Sequence, residues 1–100
     1  MRLYLSAGVE ALRSLREGKA VTLPAFAAVS DDEEDEFAAL ASAAQGSAAV
    51  VVADVEQADD GDDQAVSLDQ VDAIHVDVDG SGDLAWFATQ EIDEVLRLLS

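Results

Sequence analysis

The stretch Ala49-Val50-Val51-Val52-Ala53-Asp54-Val55 is the strongest strand signal in the chain, and it decides the fold class. An unbroken run of β-branched and small apolar side chains is typical of a strand that is buried on both faces. We therefore expect residues 49–55 to form a central strand of a sheet that other elements cover on both sides.

Two helices and two further strands are predicted before this central strand. Residues 2–5 are a short apolar run that suits a first strand, and residues 7–17 place apolar side chains at helical spacing before Gly18, a natural helix end. Pro24 interrupts the next stretch, so the second strand is predicted at residues 25–29.

The second helix is predicted over residues 31–45. Ser30 followed by Glu33 has the spacing of a capping box, and six acids at positions 31–36 suit the positive end of a helix dipole although they also repel one another. The expected buried face of this helix consists of Phe37, Leu40, Ala41 and Ala44.

The acidic segment 56–66 follows the central strand and has the composition of a mobile, solvated loop. Residues 67–71 suit one helical turn, and residues 73–78 alternate apolar and polar side chains as a half-buried strand does.

The C-terminal quarter allows two interpretations. In one, the turn residues at positions 79–82 lead into a strand at residues 84–88, and Thr89 caps a last helix at residues 90–99. In the other, one long helix starts at Leu84. We favour the hairpin because Thr89 is followed by Gln and Glu, which is a good helix start.

The element order β-α-β-α-β-β-β-α predicts an α/β (α+β) protein that forms a single domain over residues 1–100. Its expected core is a single-layer mixed β-sheet of about five strands with three helices packed on it. Such a small core of Ala, Val and Leu would gain from burial in a homodimer, so the oligomeric state stays open.

Charge is the strongest global signal, because 22 acids and five bases give a net charge of −17. Residues 1–24 hold four of the bases and two acids, so the remaining 76 residues carry twenty acids against one base. Such a surface repels phosphate backbones and anionic lipid, which argues against direct binding to nucleic acid or to a membrane. Solubility in high salt, a basic protein partner and cation binding each explain the acids.

The sequence lacks the signals of several functional classes. The chain has no cysteine, which excludes disulfides and thiolate chemistry, and it has no signal-peptide or membrane-spanning run, so the expected location is cytoplasmic. No phosphate loop or catalytic motif is present, and we predict no catalytic residues.

The sharpest motif is Asp77-Val78-Asp79-Gly80-Ser81-Gly82-Asp83-Leu84, which matches the front of an EF-hand loop. It predicts a calcium site formed by Asp77, Asp79, Ser81 and Asp83. Ala88 stands where the loop needs a bidentate Glu, so the alternative is a hairpin turn with no cofactor at all.

His75 is the only histidine, and strand alternation places it on the same face as Asp77 and opposite Ile74 and Val76. This pair suits acid–base work or ligand binding, and we expect the nearby acids to raise the pKa of His75. Three residues of the segment 86–91 complete the candidate ligand-binding set, which is His75, Asp77, Trp86, Gln90 and Glu91.

Several segments together resemble a family of small acidic actinobacterial proteins of unknown function. The resemblance rests on six segments, of which Trp86-Phe87-Ala88-Thr89-Gln90-Glu91-Ile92 is the most specific. The others are Met1–Leu5, Ala25–Val29, Glu33–Leu40, Val50–Val55 and Ala73–Asp77. It implies a cytoplasmic actinobacterial protein and implies no activity.

Three functions are therefore expected from the sequence. The first is a non-enzymatic interaction or regulatory domain whose acidic surface binds a basic protein partner. The second is a weak calcium-binding module at residues 77–84, and the third is a small enzyme or ligand-binding domain that uses His75 and Asp77.

Overall fold

The computed structural model describes residues 2–27, 32–45, 47–56, 63–77 and 84–99. Its strands are β1 (Arg2–Ala7), β2 (Val21–Phe26), β3 (Ala49–Asp54), β4 (Asp63–Val66), β5 (Val71–Val76) and β6 (Ala85–Ala88). Its α-helices are α1 (Val9–Arg16), α2 (Glu33–Ala44) and α3 (Ile92–Leu99), and two 3-10 turns cover Leu68–Gln70 and Thr89–Glu91.

The six strands form one sheet in the order β4-β2-β1-β3-β5-β6, and all the pairings are antiparallel. The α+β class is confirmed, whereas the expected mixed sheet of about five strands is wrong. Strands β2 and β3 do run in the same direction on either side of a helix, but β1 lies between them and is antiparallel to both. The alternation of strands and helices along the sequence does not reveal that β1 lies between β2 and β3 in the sheet.

The predicted central strand is confirmed, since β3 lies between β1 and β5 and its first five residues are buried. Its side chains belong to two separate cores. On one face Val51 packs with Leu12 and Leu15 of α1 and with Val95 of α3. On the other face the core under α2 is much smaller and consists of Tyr4, Ala39, Ala43, Val50, Val52 and Ala73.

Helix α2 packs on the sheet mainly through two alanines, and Leu40 and Ala44 are partly buried beside them. Ala39 and Ala43 are buried, and the hydroxyl of Ser6 in β1 donates a hydrogen bond of 2.6 Å to the carbonyl oxygen of Ala43. Small side chains let the helix approach the sheet closely. The expected face of Phe37, Leu40, Ala41 and Ala44 is therefore only partly correct, because Leu40 and Ala44 are partly buried and pack against this core, whereas Phe37 and Ala41 are exposed.

Strand β2 begins four residues earlier than predicted and includes Pro24. Its first four residues, up to Pro24, pair with β4, and its last two pair with β1. The proline therefore lies where β2 changes partners, so its missing N–H is tolerated. Residues 28–31, including Ser30 of the predicted capping box, lie outside the described residues, and Asp32 is the residue that caps α2 by accepting from the N–H of Glu34 at 3.1 Å.

The predicted loop 56–66 contains a strand at its end, which corrects the expectation for residues 63–66. Gln64 and Val66 of β4 are buried while Asp63 and Ala65 are exposed, so the segment has a clear inner side. Pairing with β2 stabilises this strand, which the acidic composition of the segment does not predict. Residues 57–62 lie outside the described residues, and the mobility expected there stays a prediction.

The hairpin interpretation of the C-terminal quarter is confirmed, because β6 is a strand that pairs with β5. The predicted helix over residues 90–99 begins as a 3-10 turn at Thr89 and becomes α3 at Ile92. Thr89 does not cap this helix, since its hydroxyl donates to the carbonyl oxygen of Val71 at 2.6 Å. The helical turn expected at residues 67–71 is present as the 3-10 turn Leu68–Gln70.

The longest helix, α2, has 12 residues. No helix in the described part of the chain has the length and apolar character needed to cross a bilayer.

Candidate binding groove between α2 and the β5–β6 hairpin

Helix α2 covers the centre of its sheet face and leaves strands β5 and β6 partly uncovered. Its small core ends at Ala73 of β5. Beyond Ala73, a groove of about 440 Å³ opens between the helix and the hairpin. Its lining side chains come from α2, from the residue after it and from the hairpin: Phe37, Leu40, Ala41, Ala44, Gln45, His75 and Leu84.

The apolar stripe of α2 that sequence analysis assigned to the core lines one wall of this groove. Phe37 is 70% exposed, although it is one of only three phenylalanines in the chain. An exposed aromatic side chain beside a concave apolar surface is typical of an interaction site. The sequence contained a signal for this wall, because larger apolar residues lie next to Ala39 and Ala43 along the helix. The pattern alone did not decide which of the two stripes is buried.

His75 forms part of the groove surface on the β5 side. As predicted, it lies on the sheet face opposite Ile74 and Val76, which belong to the core under α1 and α3. The expectation of a raised pKa is wrong. Burial removes water from the imidazole and lowers the pKa of His75 below its ordinary value of 6.5, because desolvation penalises the charged form.

Trp86 is the direct cross-strand neighbour of His75. Side chains that stand opposite each other in an antiparallel pair share a face of the sheet, with their Cβ atoms about 5 Å apart. The indole is 60% exposed, whereas the next residue, Phe87, packs on the opposite face against the larger core. Phe37 therefore lines the groove on the helix side, whereas Trp86 is not a lining residue and stands beside His75 on the same face of the sheet.

The other predicted ligand-binding residues do not line the groove. Asp77 follows β5 and lines, with Leu84, a smaller cavity of about 160 Å³ at the C-terminal end of α2. Gln90 and Glu91 belong to the 3-10 turn after β6, and neither lines the groove as the described residues define it. Glu91 has a local role, because its carboxylate accepts the backbone N–H of Ala88 at 2.9 Å.

The predicted calcium site falls largely outside the described residues. Asp79, Ser81 and Asp83 belong to residues 78–83, for which no structure is given, and only Asp77 and Leu84 at the two ends are described. Among the described residues, no group of three or more potential ligand side chains is arranged to hold a metal ion. The calcium site stays a prediction.

Charge is distributed unequally between the two faces of the sheet. Four of the five bases lie on or near α1 and α3, where each has an acidic neighbour: Arg13 with Glu10, Arg16 with Asp93, Lys19 with Glu17, and Arg97 with Glu94. The fifth, Arg2, is paired in register with Asp54 at the far end of β1. On the face that holds the groove, by contrast, α2 begins with four acids directly before Phe37.

A second hollow, of about 600 Å³, lies where β3 and β4 meet the first 3-10 turn. It is lined by Asp54, Val55, Glu56, Gln64, Ala65, Asp69 and Gln70. Two of these side chains stabilise the turn itself, since both Asp69 and Gln70 accept hydrogen bonds from Ser67. This hollow lacks the exposed aromatic ring that marks the groove.

Comparisons of the chain with protein-family models, with curated proteins and with solved structures found no match. The actinobacterial resemblance stays a prediction.

Proposed function

We propose that this protein is a non-enzymatic interaction domain that binds a basic segment of a partner protein in the groove between α2 and the β5–β6 hairpin. The observation that carries the proposal is the combination of an apolar groove, lined by the exposed ring of Phe37, with a run of acids at the start of the same helix. A cytoplasmic location is part of this proposal.

The charge of the groove face supports a basic partner. The acids of the first turn of α2 exceed what a helix start needs, because Asp32 alone supplies the cap. The bases that would offset them lie beside other acids on the opposite face or at the far end of β1. An excess of charge of one sign attracts a partner of the other sign and favours its orientation.

The apolar lining of the groove favours binding of a protein segment over binding of simple counterions. Leu40, Leu84 and the ring of Phe37 offer contact area that a simple ion cannot use. Exposed aromatic residues near the centre of a contact supply much of the binding energy in protein interfaces. We therefore expect the partner to place an apolar side chain in the groove and basic side chains near the start of α2, where acids are in excess.

The test is a calorimetric titration with a synthetic peptide that alternates Lys and Val over about eight residues, in low and in high salt. Binding should weaken with salt, and Phe37→Ser should weaken it about tenfold or more. Leu98→Ser is the matched control, because Leu98 is also an exposed apolar residue of a helix, but on the opposite face.

Equal loss of affinity in the two variants would show that the groove is not the site. Absence of any salt-sensitive binding would contradict the proposed function itself.

A small apolar ligand is the second candidate, and the size of the groove favours it. A volume of about 440 Å³ falls in the range of roughly 300–1,000 Å³ that small-molecule sites occupy. His75 would give such a ligand one polar contact. Binding of such a ligand would not depend on salt, whereas binding of the Lys/Val peptide should weaken in high salt.

A further inference from the structure

The two faces of the sheet carry different numbers of helices. Helices α1 and α3 pack beside each other on one face, where Leu12, Leu15, Val95 and Leu96 belong to the larger core. On the other face α2 is the only helix in the described part of the chain, and it packs mainly on β1, β2 and β3. Among the residues that the structure describes, β5 and β6 therefore have helices packed on one face only.

The part of β5 and β6 that faces the groove, called here the β5–β6 strip, has about the width of one helix. Neighbouring strands lie about 5 Å apart, and a helix with its side chains is about 10 Å wide. The strip consists of two cross-strand pairs on the α2 side of the sheet, Ala73 with Ala88 and His75 with Trp86. A second helix placed beside α2 would lie over this strip and fill the groove with one row of its side chains.

The lining of the groove favours a helix over an extended segment. Of the seven described residues that line it, only Gln45 and His75 have polar side-chain groups. An extended segment would bring backbone N–H and C=O groups against this apolar surface, and such groups are costly to bury without partners. A helix pairs these groups within its own backbone and presents only side chains to the groove.

Two acids of α2 continue the wall of the groove toward the start of the helix. Glu33 precedes Phe37 by four residues and Glu36 precedes Leu40 by four, and residues four apart lie on the same side of a helix. These two carboxylates therefore lie in line with the wall residues, at the end of the groove where α2 begins. A helix beside α2 would meet them with the side chains of one of its turns.

We propose that the basic partner segment binds as an amphipathic helix beside α2 and over the β5–β6 strip. This inference rests on the proposed function for the basic character of the segment and adds its conformation. The wall extends from Phe37 to Gln45, which is about 12 Å along the helix axis, so the partner needs two to three turns in contact. Its apolar residues recur at three- and four-residue spacing, with Lys or Arg in the turn that faces Glu33 and Glu36.

A second copy of this chain is the other occupant that the strip could accept. Each copy carries a net charge of −17, so two copies repel each other at close range, whereas a basic helix is attracted. The charge of the molecule therefore favours the foreign helix.

The experiment titrates the intact protein with three peptides of about 14 residues made of Lys, Leu and Ala. The first has Leu at helical spacing, the second has the same composition with Leu at every other position, and the third is the first with Pro in place of a central Ala. The first should bind about tenfold or more tightly than the two others, because Pro breaks a helix and alternation gives a helix no apolar side.

Two further measurements report on the bound state. The first peptide, labelled with carbon-13, should show helical Cα chemical shifts when bound, and the emission of Trp86 should move to shorter wavelength as the indole is covered. Trp86→Thr should weaken binding of the first peptide about tenfold. Leu98→Ser, on the opposite face, should not weaken it.

Three results would overturn the inference. If the alternating or the proline peptide binds as tightly as the first, the helical conformation is wrong while the proposed function stands. If no peptide binds in low or in high salt, the proposed function fails as well. If sedimentation shows that the protein alone forms a dimer in which Trp86 is covered, a second copy occupies the strip.

Discussion

His75 and Trp86 stand directly opposite each other on β5 and β6, one half-buried in the groove and the other 60% exposed beside it. Trp86 is the only tryptophan of the chain, so its fluorescence reports on this pair alone. Ionisation of His75 should therefore change the fluorescence of the neighbouring Trp86.

The first prediction concerns this signal. A protonated imidazole quenches a neighbouring indole, so the emission of Trp86 should fall as the pH is lowered. The midpoint should lie below 6.5, because burial lowers the pKa of His75. The His75→Gln variant should lose the transition. A midpoint above 6.5, or an unchanged transition in the variant, would mean that a nearby acid controls the signal.

The second prediction concerns stability. Well above pH 6.5, His75 is neutral in both the folded and the unfolded state. As the pH falls below that value, the unfolded chain takes up a proton before the folded chain does, so the free energy of unfolding decreases until the folded imidazole is also protonated.

Urea unfolding between about pH 7.5 and pH 5 measures this effect, since most carboxylates stay ionised in that range. The wild type should lose more stability across the range than His75→Gln does. Parallel curves for the two proteins would show that burial of His75 does not affect folding.

The third prediction concerns the close approach of α2. Ala43 is fully buried between α2 and the sheet, so Ala43→Leu should lower the free energy of unfolding by about 1–3 kcal/mol through overpacking. Ala38→Leu, at an exposed position of the same helix, should change it by less than about 0.5 kcal/mol. Chemical unfolding of both variants checks this, and equal effects would mean that α2 does not pack through its alanines.

The fourth prediction tests the strand that sequence analysis missed. Val66 of β4 is 1% exposed and belongs to the larger core, so Val66→Ala should cost about 1–3 kcal/mol of stability. A mobile loop would tolerate the change. The exposed neighbour Ala65 provides the control as Ala65→Ser, which should be nearly neutral.

Much of the fold was predictable from the sequence because its central signals are local. The Val50–Val52 run marks the central strand, and the spacing of Leu12 and Leu15 marks α1. Strand β4 was missed because its stability comes from pairing with β2, a long-range contact that four residues of mixed composition do not reveal. Tertiary context of this kind overrides local propensity.

The candidate site was only partly predictable for a similar reason. Alternation along β5 correctly placed His75 opposite the core, and the hairpin placed Trp86 near it. The exposure of Phe37 could not be predicted, because two apolar stripes share one side of α2. Ala39 and Ala43 of the smaller stripe are buried on the sheet, whereas the larger stripe is only partly buried there. Which stripe is buried depends on the distance between helix and sheet.

The central claim is that a basic segment binds between α2 and the β5–β6 hairpin, and amide chemical-shift mapping during titration with the Lys/Val peptide tests it most directly. The account predicts the largest shifts at Phe37, Leu40, His75, Leu84 and Trp86, with little change in α1 and α3. Shifts centred on α1 and α3, or spread evenly over the acidic residues without a focus at the groove, would contradict it.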